Sequence, residues 1–112
     1  SCLRDFIHVC DVASAHVNAI DFLQEQKSEK FFEAFNLGTG VGVSVLELVK
    51  KFIEVTGVNL NYKIGPRRPG DVEKVYADPK KVMHGLKWKS KYDLGQSLQH
   101  AWQWEKKIRG LV

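Results

Sequence analysis

The sequence predicts an α/β fold made of short strands and about four helices, in one domain of 112 residues. Segments with strand-like composition alternate with helical patterns along the chain, which is typical of α/β domains with some parallel strand pairing. Two helix starts carry capping signals, at Ser44 and at Asp78-Pro79. The composition, 44% apolar and 27% charged, is that of an ordinary globular protein.

The first strand and the first helix are predicted near the start of the chain. Phe6–Val9 has the composition of a short strand, and Asp11–Gln24 has apolar positions at helical spacing. The positions expected to form the buried face of this helix are Val12, Ala15, His16, Ala19, Ile20 and Leu23. A second strand is expected over Phe31–Leu37, which is rich in aromatic residues.

A second helix is predicted to begin at Ser44. Serine at the cap and Glu47 three residues later can satisfy each other's free backbone N–H groups, and Gly57 can close the helix in a left-handed conformation. The apolar stripe of this helix comprises Val45, Leu48, Val49, Phe52 and Ile53. A third strand is expected over Leu60–Ile64.

Two further helices are predicted after this strand. Asp78 as the cap and Pro79 at the first helical position open a short helix, which Gly85 is expected to stop. Asp93 is expected to open the last helix. Its buried side should comprise Leu94, Leu98, Ala101, Trp102 and Ile108.

Positive charge is concentrated in the second half of the chain. Residues 1–62 carry five basic and eight acidic side chains, a net −3, whereas residues 63–112 carry twelve basic and five acidic, a net +7. A basic half can attract nucleic acid or a small anion. The lysines are scattered, which favours solvated faces, and a stand-alone basic nucleic-acid-binding module is kept as an alternative.

Several classes of protein find no support in the sequence. No apolar run approaches the roughly 20 residues that cross a bilayer, and no signal-peptide pattern is seen, so no membrane segment is expected. Cys2 and Cys10 do not form a disulfide framework, so reduced thiols and a cytoplasmic location are expected. The histidines lack the spacing of metal ligands, so no metal site is expected.

The most informative segment is Arg67–Asp71, with the sequence Arg-Arg-Pro-Gly-Asp. Arginine presents a planar fork of donors that matches phosphate oxygens, and such charge-assisted bonds are about twice as strong as neutral ones. An ionised aspartate only accepts hydrogen bonds, which suits sugar hydroxyls. The segment therefore indicates a site for a sugar nucleotide, and the competing interpretation is a solvated charged loop.

Two other motifs come close to dehydrogenase signatures without matching them. Gly38–Val43 follows a strand candidate and precedes a helix, but its third glycine comes one position early and no ribose-binding acid follows. Tyr76 and Lys80 match Tyr-x-x-x-Lys, but a helix predicted to begin between them keeps them off a common face. No catalytic or cofactor-binding residue is therefore expected in this chain.

The chain resembles UDP-glucose 4-epimerases in five segments, in the order and spacing of that family. Arg4–Val12 is similar to the family's Arg-Asp-Tyr-Ile-His-Val-x-Asp-Leu, and Phe35–Val45 to its Tyr-Asn-Leu-Gly-x-Gly-x-Gly-x-Ser-Val. Arg67–Asp71 matches its Arg-Arg-x-Gly-Asp, while Leu86–Trp88 and Trp102–Trp104 are similar to its Leu-Gly-Trp and Trp-x-Trp. Nucleotide-sugar dehydratases and decarboxylases share parts of this pattern and are the alternative within the superfamily.

The resemblance implies that residues 1–112 form the C-terminal UDP-sugar-binding domain of an extended short-chain dehydrogenase/reductase. In this family an N-terminal Rossmann domain binds NAD and carries the catalytic Tyr-x-x-x-Lys, and that domain is then missing here. The parent enzyme is expected to be an isomerase of galactose metabolism that inverts C4 of a UDP-hexose, and the chain alone is expected to be inactive. Its apolar surface toward the missing domain is expected to make the chain self-associate.

The resemblance also implies roles for four residues. Arg4 and Arg68 are expected to bind the diphosphate, and Asp71 the ribose hydroxyls of the uridine. Val75 lies where some family members place a tyrosine against the hexose, and a smaller side chain there goes with acceptance of N-acetylated sugars. The competing interpretations are a surface arginine whose methylenes cover the core for Arg4, and closure of the Pro69-Gly70 turn for Asp71.

Overall fold

The structure is a computed structural model, and it describes residues 2–111. It confirms an α/β fold with four helices and short strands. The helices are α1 (Val9–Gln24), α2 (Val45–Thr56), α3 (Lys80–Leu86) and α4 (Leu94–Ile108), and the strands are β1 (Leu3–Arg4), β2 (Val43–Ser44) and β3 (Lys74–Val75).

The three strands form one small sheet in the order β2-β1-β3, so β1 is central. β1 pairs antiparallel with β2 and parallel with β3, and Arg4 lies opposite Val43 on one side and Val75 on the other. The sheet therefore joins three segments that are far apart in sequence, and Arg4 lies at their junction.

The predicted strands over Phe6–Val9, Phe31–Leu37 and Leu60–Ile64 are wrong. The first leads into α1, and the third lies in a segment without secondary structure. Phe31–Leu37 also lacks a ladder, because its rings pack on α1: Phe31 and Phe35 each lie edge-on to Phe22, with ring centroids 5.6 and 5.5 Å away. Strand composition forms a strand only where another segment offers its backbone, and here no partner is aligned with these segments.

The starts of α2 and α4 follow the capping signals closely. The predicted start of α3 is wrong by one residue, because Pro79 is the cap, Lys80 is the first helical residue and Pro79 makes no side-chain cap bond there. The Ser44 hydroxyl accepts from the backbone N–H of Glu47 at 3.0 Å, and Gly57 ends α2 with φ of 71°. At α4, Asp93 and Gln96 form a reciprocal capping box, with bonds of 2.8 and 3.0 Å. These local hydrogen bonds satisfy backbone groups that the helix itself leaves free.

Gly85 does not stop α3, which corrects the prediction. The helix runs on to Leu86, and Lys87 takes the left-handed conformation with φ of 54°. A Cβ atom at Gly85 would lie 2.6 Å from a ring carbon of Phe35. Glycine stands at this position because the aromatic ring packs directly against the helix backbone.

The core lies between α1 and α3. Its buried apolar members among the described residues are Ala15, Val82, Leu86 and Trp88. The indole N–H of Trp88 donates to the backbone oxygen of Asp11 at 2.9 Å, so the large ring is both buried and satisfied. Away from this core, α2 packs along α4, where the rings of Phe52 and Trp102 meet edge to face with centroids 5.7 Å apart.

Parts of the predicted buried faces are exposed. On α1, Ile20 and Leu23 are 56% and 55% exposed, and His16 is exposed too. On α4, Ala101 and Ile108 are exposed. Periodicity correctly identifies an apolar face, but it does not show whether the chain itself provides the element that covers that face.

Candidate functional site

A cavity of about 510 Å³ lies beside β1, and its walls carry most of the residues singled out in the sequence. This size is within the range of small-molecule sites, about 300–1,000 Å³. Its charged lining residues are Arg4, Arg67, Arg68, Asp71 and Glu73, and the first turn of α2 contributes apolar side chains.

Arg4 lines this cavity from the central strand of the sheet. Its side chain is half-buried. Among the residues that the structure describes, the Arg4 guanidinium donates to the backbone oxygen of Leu3 at 2.7 Å, which leaves further N–H groups free to meet an anion.

Arg68 and Asp71 also line the cavity, and they lie at the two ends of a tight turn. Pro69 and Gly70 form its centre, with Gly70 at φ of 83°, a conformation that favours glycine. The Nε–H of Arg68 donates to the Asp71 carboxylate at 3.1 Å. The Arg68 side chain is 82% exposed and that of Asp71 26%, so the outer N–H groups of Arg68 are open to the cavity and to solvent.

The structure thus brings three of the four predicted site residues to one cavity. It also supports the competing interpretation that Asp71 closes the turn, since Asp71 already pairs with Arg68. Val75 lies opposite Arg4 in β3 and is half-exposed, but it is not among the residues that line this cavity. Arg67 lines the cavity as well, which the sequence argument did not anticipate.

Asp5 is a central residue of the region that sequence reasoning missed. Its carboxylate accepts from the backbone N–H and the hydroxyl of Thr39 at 3.0 and 2.7 Å, from Gly40 at 3.0 Å and from Ala77 at 3.3 Å. Burial alone raises the pKa of Asp5, but these hydrogen bonds outweigh burial and hold the pKa below its ordinary value. The carboxylate is therefore kept ionised.

The glycine segment at residues 38–42 is filled by the protein's own side chains. A Cβ at Gly38 would lie 2.4 Å from an Asp5 carboxylate oxygen, and one at Gly42 would lie 2.9 Å from the Tyr76 ring. These close contacts give both glycines a packing role in this chain. The sequence does carry a signal for this contact. An acidic residue directly follows Arg4, and the glycine segment is not followed by the acid that would bind a ribose.

The other motifs have structural roles. Tyr76 precedes α3 and Lys80 is its first residue, so the two do not share a helix face. The imidazole of His8 caps α1 by accepting from Cys10 N–H at 2.9 Å, and it also contacts His100. Within residues 2–111, no group of three His, Cys, Asp or Glu side chains is arranged to hold a metal ion. In the same range, no helix combines the length and the apolar character needed to span a membrane.

Comparison with known proteins places this arrangement in context. The chain is 44% identical over 105 residues to UDP-glucose 4-epimerase 2 of Oryza sativa subsp. japonica, and 41% identical over 103 residues to UDP-glucose 4-epimerase of Bacillus subtilis (strain 168). The matches cover 94% and 92% of this chain but 26% and 30% of those relatives. The chain thus spans between a quarter and a third of their length, and no protein-family model matches it.

The fold leads to the same group of proteins. A crystal structure of UDP-glucose 4-epimerase from Stenotrophomonas maltophila, with bound NAD and formylated UDP-arabinopyranose, superposes with a TM-score of 0.92 at 41% identity. The match covers 100% of this chain and 32% of that protein. The resemblance to UDP-glucose 4-epimerases predicted from the sequence is confirmed in both sequence and fold.

Proposed function

We propose, from the similarity of this chain to UDP-glucose 4-epimerases over nearly its whole length, that it is the C-terminal UDP-sugar-binding domain of such an enzyme. One observation carries the proposal beyond similarity. Arg4 and Arg68, far apart in sequence, line a single cavity together with Asp71. That is the arrangement expected if both arginines bind the diphosphate of UDP and Asp71 binds its ribose.

The chemistry of the cavity suits a nucleoside diphosphate. A diphosphate carries about two negative charges, and two guanidinium groups can neutralise them through charge-assisted hydrogen bonds. Asp71 is acceptor-only when ionised, so it can receive ribose hydroxyls once its bond with Arg68 is exchanged.

For the whole enzyme we propose interconversion of UDP-glucose and UDP-galactose. NAD would supply the transient oxidation at C4, and it would be held by a Rossmann domain outside this chain. The described residues do not fit NAD themselves, because the glycine segment is occupied by Asp5 and Tyr76. This chain would hold the nucleotide end of the substrate, and binding energy from that non-reacting end orients the hexose. Alone, it would be inactive.

The surface of the chain supports a partner domain. Its radius of gyration is 17.4 Å, whereas a compact domain of this length has about 13 Å. Its accessible surface is 8750 Å², against about 6,300 Å² for a monomer of this mass. We propose that a Rossmann domain of the whole enzyme covers the exposed apolar face of α1. The free thiols of Cys2 and Cys10 fit a cytoplasmic enzyme.

Titration of the chain with UDP tests the site. Wild type is expected to bind UDP and not uridine, with shifts of the Arg4 and Arg68 Nε–H signals in NMR spectra. Arg4→Ala and Arg68→Ala should each weaken UDP binding about tenfold or more, because each removes a charge-assisted contact. Arg109→Ala removes the same charge from an exposed arginine on α4's C-terminus and should leave the affinity unchanged.

Two results would contradict this proposal. One is a chain that ignores UDP and binds random oligonucleotides with strong salt dependence, which would favour the nucleic-acid alternative. The other is equal weakening by Arg109→Ala, which would reduce the arginine effect to net charge.

A chimera tests the whole reaction. This chain replaces the matching 30% of the Bacillus subtilis enzyme, and the epimerisation of UDP-glucose is measured. Activity is expected in the chimera and none in the chain alone. A folded chimera that binds NAD and UDP but converts UDP-glucose to a dehydrated or decarboxylated product would favour the alternative within the superfamily.

A further inference from the structure

We infer that Asp5 is a positioning residue of the nucleotide site: its carboxylate fixes where Arg4 lies relative to the two strands beside it. This inference rests on the proposed function, because Arg4 is taken to bind the diphosphate. Asp5 itself does not line the cavity and is not expected to touch the nucleotide.

The carboxylate of Asp5 joins separate segments of the chain. One oxygen accepts from the Thr39 backbone and hydroxyl, and the other accepts from the backbone N–H groups of Gly40 and Ala77. Thr39 and Gly40 lie just before β2, and Ala77 lies just after β3. Asp5 follows directly after β1, so it ties the central strand to the segments flanking both neighbours.

The sheet that carries Arg4 is small. Each strand has two residues, so the ladder alone offers few bonds to hold the register of Arg4 against Val43 and Val75. The four bonds to Asp5 add to this ladder at the residue next to Arg4. A movement of the Thr39 or Ala77 segment would move the strands that flank the guanidinium.

The surroundings of Asp5 require a carboxylate at this position. The Thr39 hydroxyl accepts from Val41 N–H at 3.1 Å, so its own proton points at Asp5. All four groups around Asp5 are thus donors. Asparagine would turn an NH₂ group toward at least one of them and break those bonds. The absence of a side chain at Gly38 provides the space, since a Cβ there would overlap the carboxylate.

A matched control exists in the same chain. Asp11 is also a carboxylate that accepts two backbone N–H groups, from Lys91 at 3.0 Å and Tyr92 at 3.1 Å, and it is 2% exposed. It ties α1 to the segment before α4 and does not line the cavity beside β1. Loss of this carboxylate should destabilise the fold without moving Arg4.

The experiment compares Asp5→Asn with Asp11→Asn by UDP titration, with folding checked by circular dichroism. Asp5→Asn is expected to raise the Kd for UDP about tenfold and to shift the Arg4 Nε–H signal, whereas Asp11→Asn changes the Kd less than about twofold. Thr39→Val, which removes the hydroxyl's bonds with Asp5 and with Val41 N–H but keeps the Thr39 backbone bond to Asp5, should raise the Kd about threefold, and Thr39→Ser should restore it. The Thr39 pair keeps the inference testable if Asp5→Asn does not fold.

The outcomes separate this inference from the proposed function. Failure of the wild-type chain to bind UDP removes the proposed function. Wild-type binding with an unchanged Kd in folded Asp5→Asn, or in Thr39→Val where Asp5→Asn does not fold, overturns the positioning role alone. Equal losses in Asp5→Asn and Asp11→Asn at matched folded fractions would also overturn it, because they would show a purely structural effect.

Discussion

At the scale of single residues, the carboxylates of this chain differ in the groups to which they are hydrogen-bonded. Asp71 pairs with one exposed arginine across a turn, whereas Asp5 collects donors from separate segments. A residue such as Asp71 can exchange its partner for a ligand at little cost, since an exposed ion pair contributes only about 0–1 kcal/mol. Asp5 has no such freedom, and its effect on a ligand must be indirect.

The lowered pKa of Asp5 predicts a pH dependence of stability. A carboxyl group whose pKa is lower in the folded state contributes stability above its ordinary value of 3.8, and that contribution is lost as pH falls through the folded-state pKa. Urea unfolding of wild type should therefore show stability falling between about pH 5 and pH 3, with a smaller slope in Asp5→Asn.

Glu33 provides the control for that slope. Hydrogen bonding and attraction to Lys81 lower the pKa of Glu33 too, but both side chains of this pair are exposed to solvent. Glu33→Gln should change the slope little, and salt should remove the change. If Glu33→Gln flattened the profile as much as Asp5→Asn, the acid sensitivity would arise from the surface instead.

Val75 is the residue at which substrate size can be tested. It is half-exposed and opposite Arg4 in the sheet, and we propose that its small side chain leaves space for a bulkier hexose. In the chimera, Val75→Tyr is expected to lower activity on UDP-N-acetylglucosamine relative to UDP-glucose at least about tenfold, because the ring fills that space. Val72→Tyr, the same change at another exposed valine, should leave the ratio unchanged. An unaltered ratio in Val75→Tyr would remove the hypothesis.

At the scale of elements, the helices were predictable and the strands were not. Ser44 and Asp93 cap their helices through bonds to residues three positions away, so the signal is contained in the local sequence. The strands are two residues long and exist because β1 meets segments about 40 and 70 residues later, a pairing that no local pattern encodes. Gly85 failed as a stop signal for the same reason, since its partner Phe35 lies on a distant segment.

The glycine segment before β2 gives a prediction at this scale. Gly38→Ala should destabilise the chain by about 2 kcal/mol or more, because its Cβ would overlap both Asp5 and Ala77 within a packed junction. Gly65→Ala is the control: nothing lies within 4 Å of its Cβ, and its φ is not positive. It should be neutral or stabilise by about 0.5 kcal/mol. Equal midpoints of urea unfolding for the two variants would show that the junction is looser than described.

At the scale of the whole molecule, the chain is flat and elongated, with extents of 54 × 37 × 19 Å. Its core is small, and apolar side chains of α1 such as Val17, Ile20 and Leu23 are more than half exposed. The resemblance to epimerases anticipated an uncovered surface, whereas periodicity alone assigned Ile20 and Leu23 to a buried face. The site shows the same division: the resemblance named Arg4 and Arg68, and only the fold shows that Asp5 joins the segments beside the strand of Arg4.

Self-association follows from this exposed face. At high concentration the chain is expected to form dimers or larger species in light scattering, since uncovered apolar patches of this kind promote association. Replacing Ile20 by Lys and Leu23 by Glu keeps the net charge and should shift the population toward monomer. Val41→Lys, at an exposed valine outside α1, should not. A wild-type chain that stays monomeric throughout would contradict the prediction.

The ten consecutive exposed residues from 61 to 70 have one more consequence. Arg4 lies in a strand that is paired on both sides, whereas Arg68 lies in this exposed loop, where its side chain pairs with Asp71. We therefore expect ligands of different size to be accommodated by displacement of the Arg68 loop while Arg4 keeps its place in the sheet. Variation in the length of that loop should change which ligands bind without changing the position of Arg4 in the sheet.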